Sequence, residues 1–176
     1  MHSVKIKPKY ITKSNPRIGL IALASDFMIE KDFINVIKNK DIDFFVNRIE
    51  CYNPLTRENL IKMSEKVTEV TNDILPDQKI DCVVYACTSG TIAAGYESIE
   101  RKVKLAKPEA KLTTPSTAAI KALKKLDIKK LCIFTPYSKK LNKVVLSSNQ
   151  ALIWDTLEGI GKNESIEGFG KLFKSN

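Results

Sequence analysis

At 176 residues, 43% of them hydrophobic, the chain can bury one sizeable core but is too short for two full domains. Its formal charge of +9 comes from lysines spread over helix faces and loops without interleaved aromatics, a pattern that excludes nucleic acid as the expected partner and fits a solvated surface with a mild attraction for small anions. No apolar run reaches the roughly 20 residues of a membrane span, and the start with His2, Lys5, Lys7 and Lys9 lacks the apolar stretch of a secretion signal, so a cytoplasmic protein with no membrane partner is expected.

Residues 1–16 read as a basic lead-in ending at Asn15-Pro16. The run from Arg17 to Ala24 is continuously apolar, as a strand covered on both faces should be. Asp26 then caps a helix to about Lys40, and residues 42–51 form a second strand. After Asn53-Pro54-Leu55-Thr56 comes a long helix, with Leu60, Met63, Val67, Val70 and Ile74 three and four apart and Pro76 ending it. A third strand runs from Asp81 to Ala86, and Cys87-Thr88-Ser89-Gly90-Thr91 opens a helix to about Leu105. The short fourth strand, Lys111 to Thr114, leads to a helix at Pro115, where a missing N–H does no harm. Leu131 to Thr135 is a fifth strand. This alternation predicts an α/β fold with a doubly wound, mostly parallel Rossmann-like sheet and right-handed crossovers.

The rhythm then breaks. Only residues 136–142 separate the fifth strand from the next, Lys143 to Ser147, whereas a parallel crossover needs a dozen or so. Either the last strand pairs antiparallel or elsewhere, or a segment is missing. A helix from Asn149 to Leu157 turns Leu152, Ile153 and Trp154 inward, Gly159 and Gly161 stop it, and the domain, residues 17–160, is followed by a weakly patterned tail, 161–176.

Of the four cysteines, Cys51, Cys82, Cys87 and Cys132, none forms a close CxxC pair, and the one histidine is His2, so no metal site is expected. Cys82 and Cys132 fall inside strands and read as small apolar core residues. Cys87 differs, because it stands just beyond the carboxyl end of the third strand, where open α/β sheets bind ligands. Unpaired amides in the first turn of a helix favour thiolate and predict a lowered pKa there. Thr88, Ser89 and Thr91 add hydroxyls, and Gly90 lets backbone come close, a setting for a carboxylate beside a nucleophilic or proton-carrying sulfur. The competing reading makes Cys87 one more buried small residue beneath a hydroxyl-rich cap. Against it stand the other polar strand ends: Asp26, Thr114-Pro115-Ser116-Thr117, Thr135-Pro136-Tyr137 and Ser148-Asn149-Gln150 share one edge of a parallel sheet and would line one donor-rich pocket.

The string Ala86-Cys87-Thr88-Ser89-Gly90-Thr91, together with Thr113-Thr114-Pro115, Thr135-Pro136-Tyr137 and residues 148–154, resembles the aspartate/glutamate racemase superfamily. Within it, the chain is most similar to maleate cis-trans isomerases, arylmalonate decarboxylases and related ectoine-utilisation proteins. Residues 19–26 with Glu30 and Asp32-Phe33, and Arg48 ahead of residues 54–60, fit the ectoine-utilisation pattern best. The resemblance spans about residues 17–160. It implies a cofactor-independent isomerase or racemase with two α/β lobes, each contributing a cysteine, acting on a small (di)carboxylate such as maleate or an amino-acid-derived acid.

On that resemblance Cys87 is the catalytic cysteine of the first lobe, attacking the alkene or moving the α-proton. Thr88 and Ser89 would form a carboxylate-binding turn, and Tyr137 would hydrogen-bond the substrate carboxylate. Asp26 stands where the isomerases carry asparagine, and Thr114 and Asn149 complete the substrate-binding set. Family members continue from the Thr-Pro-Tyr motif through further strands, helices and a second cysteine. Here Tyr137 and Ser148 are only eleven positions apart, which implies a complete first lobe and a truncated second one. A single thiol cannot perform two-base racemisation but can still add to an activated alkene. A pocket lacking one wall favours self-association into a homo-oligomer. The alternative is an inactive remnant that binds a carboxylate or a partner without turnover.

Overall fold

The structure, a computed structural model, describes residues 14–129 and 146–174. Four strands, β1 (Arg17–Leu23), β2 (Asp43–Ile49), β3 (Cys82–Tyr85) and β4 (Lys111–Thr113), form a parallel sheet in the order β2-β1-β3-β4. Side chains alternate across a strand with period two, so β1 and β3 feed two cores at once. Ile18, Leu20 and Ala22 join Cys82 and Val84 on one face, beneath α1 (Ile29–Ile37), α6 (Pro115–Lys125) and α7 (Ser148–Gly159). Ile21 joins Val83 and Tyr85 on the other, beneath α2 (Arg57–Glu65), α3 (Val67–Asn72), α4 (Thr88–Ala94) and α5 (Tyr96–Ala106). Helices on both faces of a parallel sheet make this the doubly wound α/β architecture that the alternation of elements predicts.

Several helix boundaries differ from the expectation. The first helix begins at Ile29 rather than at Asp26, whose Oδ1 accepts the amides of Met28 at 2.8 Å and Ile29 at 3.0 Å. The long helix breaks at Lys66, whose N–H turns back to the carbonyls of Met63 and Ser64. Its second half ends at Asn72, short of Pro76, and Ile74 remains buried in the turn that follows. That turn contains Leu75 and Asp77 at φ +46° and +61°, and buried Lys107 closes it by donating to the carbonyls of Leu75 at 2.8 Å and Gln78 at 2.9 Å. The helix after Cys87 also breaks, at Gly95, where φ is +82° and glycine is the residue that meets least resistance. The start at Pro115 is as expected. Thr114 caps it through a reciprocal box with Thr117.

The fifth strand, residues 131–135, and residues 143–145 of the last one lie outside the described residues, and Leu146 and Ser147 are not in a strand. The helix with Leu152, Ile153 and Trp154 inward is present as α7, every residue of which is buried from Ala151 to Leu157. It packs against α1 and α6 and beneath β3 and β4. Beyond it, Ile166, Phe169, Leu172 and Phe173 settle on the same core, and Glu164 pairs with Lys40 at 2.8 Å. No helix among the described residues is long and apolar enough to cross a membrane.

Candidate active site

The strand order places a switch point between β1 and β3. The chain leaves β1 towards β2 on one side and leaves β3 towards β4 on the other, so the two outgoing loops diverge at the carboxyl edge of the sheet, the place where open α/β sheets bind ligands. One loop carries Asp26, and the other carries Cys87 and leads into Thr88 and Ser89, the first residues of α4. Both are fastened to the sheet, since Ala24 N–H donates to Ile49 O at 2.9 Å and Ala86 N–H to Ile21 O at 3.0 Å.

Cys87 is the N-cap of α4, with extended φ and ψ of −133° and 108°. Its Sγ accepts the Gly90 amide at 3.2 Å and lies 3.8 Å from Ser89 Oγ. Thr91 locks the turn by donating its hydroxyl to Cys87 O at 2.7 Å. Only 3% of Cys87 is exposed. Burial therefore pushes the thiol up, against the opposing pull of the Gly90 amide and the Ser89 hydroxyl, and the Cys51 thiol adds to the rise. The expectation of a lowered pKa is thus corrected: α4 is seven residues long, and the field of so short a helix does not offset desolvation of the charged form. Thr88 and Ser89 themselves are exposed at the rim.

Of the remaining sequence candidates, Asp26, Thr114 and Asn149 are engaged with their own surroundings. The Asp26 carboxylate is occupied by the two α1 amides. Thr114 is fully buried and shares its hydroxyl with Ser116 at 3.3 Å and Thr117 at 2.9 Å. Asn149 Nδ2 donates to Asp32 Oδ2 at 2.7 Å, joining α7 to α1 rather than facing Cys87. Tyr137 lies outside the described residues. The structure therefore brings Cys87 together with Ser89, leaves Thr88 beside them, and employs Asp26 and Thr114 as supports of the α1 and α6 starts.

Two residues absent from the sequence candidates belong to the same region. Arg48, near the end of β2, donates to the carbonyls of Leu23 at 3.0 Å and Asp26 at 2.6 Å and pairs with Glu30, so it holds the Asp26 loop in place. Tyr85 is fully buried in β3, and its hydroxyl finds no hydrogen-bond partner among the described residues. Period-two alternation was the available signal, because residues 85 and 87 must share a face wherever the extended backbone continues.

A thiol in the first turn beyond the third strand, at the switch point of a 2-1-3-4 sheet, defines a doubly wound α/β protein with the maleate isomerase fold. Among solved structures, the chain is similar to the maleate isomerase Iso from Pseudomonas putida S16, with a TM-score of 0.75 at 16% identity, covering 91% of this chain and 98% of that one. A cysteine-to-alanine variant of the same enzyme with maleate gives 0.58 at 20% identity, covering 83% of this chain and 60% of that one. A cysteine-to-serine variant of Nocardia farcinica maleate cis-trans isomerase, with a covalently bound succinylcysteine intermediate, gives 0.54 at 18% identity. That match covers 64% of this chain and 49% of the Nocardia chain, about half its length. No protein-family model matches the sequence, and no curated protein does.

Proposed function

We propose that the chain is a cysteine-dependent, cofactor-independent isomerase of small dicarboxylates, with maleate or an amino-acid-derived acid as substrate. The observation that carries this reading is the position of Cys87, a thiol capping the first turn at the carboxyl end of β3, in a fold shared with isomerases of which one holds a succinylcysteine. In the reaction the Cys87 thiolate adds to one alkene carbon and forms a C–S bond. The π pair moves to the neighbouring carbon and into its carboxylate. The former double bond is now single and rotates; the pair then returns, the C–S bond breaks, and the trans diacid leaves with the thiolate regenerated. No redox partner is consumed. Thr88 and Ser89 offer exposed hydroxyls; substrate-binding roles for Asp26, Thr114, Tyr137 and Asn149, a cytoplasmic homo-oligomer and a role in ectoine utilisation belong to the same reading and rest on the sequence resemblance. Conversion of maleate to fumarate, followed by proton NMR, tests it: turnover by the wild type that disappears in Cys87→Ala is the expected result, and turnover that survives this substitution refutes it.

The second reading is a carboxylate-binding remnant without turnover. It is favoured by the near-complete burial of Cys87 and by the prior engagement of Asp26, Thr114 and Asn149. Calorimetric binding of maleate that produces no fumarate would decide for it.

A further inference from the structure

We propose that Tyr85 is a positioning residue whose hydroxyl, unpartnered among the described residues, donates to the Cys87 sulfur when that sulfur is a thiolate. The inference deepens the reading above and rests on Cys87 working as an anion.

Three observations converge on it. Tyr85 is fully buried and its Oη has no partner among the described residues. An unmet hydroxyl in a core is costly, and phenylalanine would fill the same ring space without that cost. The hydroxyl and the sulfur both border the space that glycine leaves open: a Cβ built on Gly90 would sit 2.6 Å from Tyr85 Oη, 2.9 Å from Cys87 Sγ and 3.0 Å from Met63 Cε. Finally, the Gly90 amide already donates to the same sulfur at 3.2 Å and Ser89 Oγ approaches it from the exposed side.

A neutral thiol is a weak acceptor and leaves the phenol unsatisfied, whereas a thiolate is a strong one and satisfies it. The phenol keeps its proton throughout. Burial, with the Cys87 charge next, pushes Tyr85 above the ordinary tyrosine range, so it remains a donor wherever Cys87 titrates. During addition the sulfur gives its charge to the substrate and the bond from Tyr85 slackens; during elimination it tightens again and favours departure of the thiolate. Among the described residues, the other titratable group bearing on Cys87 is Cys51, from the loop after β2, and its charge would oppose ionisation.

The test is the pH profile of Cys87 alkylation by iodoacetamide, read on the Cys87 peptide by mass spectrometry in the folded protein. Tyr85→Phe should shift the profile upward by about one pH unit, a roughly tenfold slower reaction on the rising limb, because a hydrogen bond to an ionised group is worth at least that much. The plateau rate at high pH should stay the same. Replacing all five tyrosines with 3-fluorotyrosine, a stronger donor of the same shape, should move the profile the other way, and this arm decides the matter if Tyr85→Phe does not fold. A profile unmoved by either change, or moved in the same direction by both, overturns the proposal. Maleate turnover is measured separately, so its absence in the wild type refutes the isomerase reading while leaving the alkylation profile to judge Tyr85.

Discussion

Gly90→Ala sets two effects of opposite sign against each other. Gly90 lies inside α4, where alanine is favoured over glycine by about 0.8–1 kcal/mol on propensity alone. Its new methyl, however, would meet Tyr85 Oη at 2.6 Å, Cys87 Sγ at 2.9 Å and Met63 Cε at 3.0 Å. Tyr85 is 0%, Met63 1% and Cys87 3% exposed, so none of the three can swing into solvent. Overpacking of this kind costs about 1–3 kcal/mol, and with the atoms this close the upper part of that range applies. The net result should be a loss of about 2 kcal/mol. For a domain of this size that lowers Tm by roughly 4–8 °C, measurable by circular dichroism melting and by the urea midpoint at constant slope. A Gly90→Ala protein as stable as the wild type, or more stable, would refute the packing argument and show that helix propensity governs the position.

Three further outcomes follow from the structure. Cys82 is raised from 9.0 to about 12, chiefly by burial and then by Asp155. Because its folded value exceeds its unfolded one, its stabilisation is complete below about pH 9 and fades as pH climbs towards 12; Cys82→Ala should flatten that alkaline decline in urea midpoints. In the folded protein at pH 8, Cys51, which is partly exposed, should react with a maleimide ahead of Cys87, and Cys82 should not react, as read by peptide mass spectrometry. Asp155 is 6% exposed and accepts Lys121 Nζ at 2.8 Å and the hydroxyl of Thr113; Lys121→Met leaves that carboxylate short of a partner and should cost about 1–3 kcal/mol in urea denaturation, whereas Lys125→Met should cost little.

The sheet was legible because β1 and β3 are covered on both faces and so carry continuous apolar runs, Ile18–Ala22 and Cys82–Tyr85, that leave no phase to misread. The start of α6 was equally plain, since threonine followed by proline both satisfies and avoids an unpaired amide. The breaks at Lys66 and Gly95 were hidden for a different reason. Val67 and Val70 continue the three-and-four spacing of α2 across the first break, so the burial pattern survives a change in axis. At the second, a glycine within a helical pattern gives no local sign of whether it will take a positive φ. The thiol at Cys87 was found by its place at a strand end, but its titration was misjudged, because desolvation depends on what α2 and β3 bring around the sulfur and no local pattern records it. The same holds for Asn149: its bond to Asp32 joins residues far apart in the chain, and its polar neighbours suggested a ligand instead.

The wrapping of one face of the sheet by α7 bears on how the chain is made. β1, β3 and β4 emerge from the ribosome early, yet the face of Ile18, Leu20 and Val84 is covered only in part, by α1 and α6, until residues 151–157 arrive to complete it. Completion of that core must therefore wait for synthesis to pass Leu157 and for the distant segment to dock, which makes the native state a late and long-range event. Nascent chains stalled before Ala151 should expose a sticky greasy surface and recruit holdase chaperones, and those extended past Lys174 should release them.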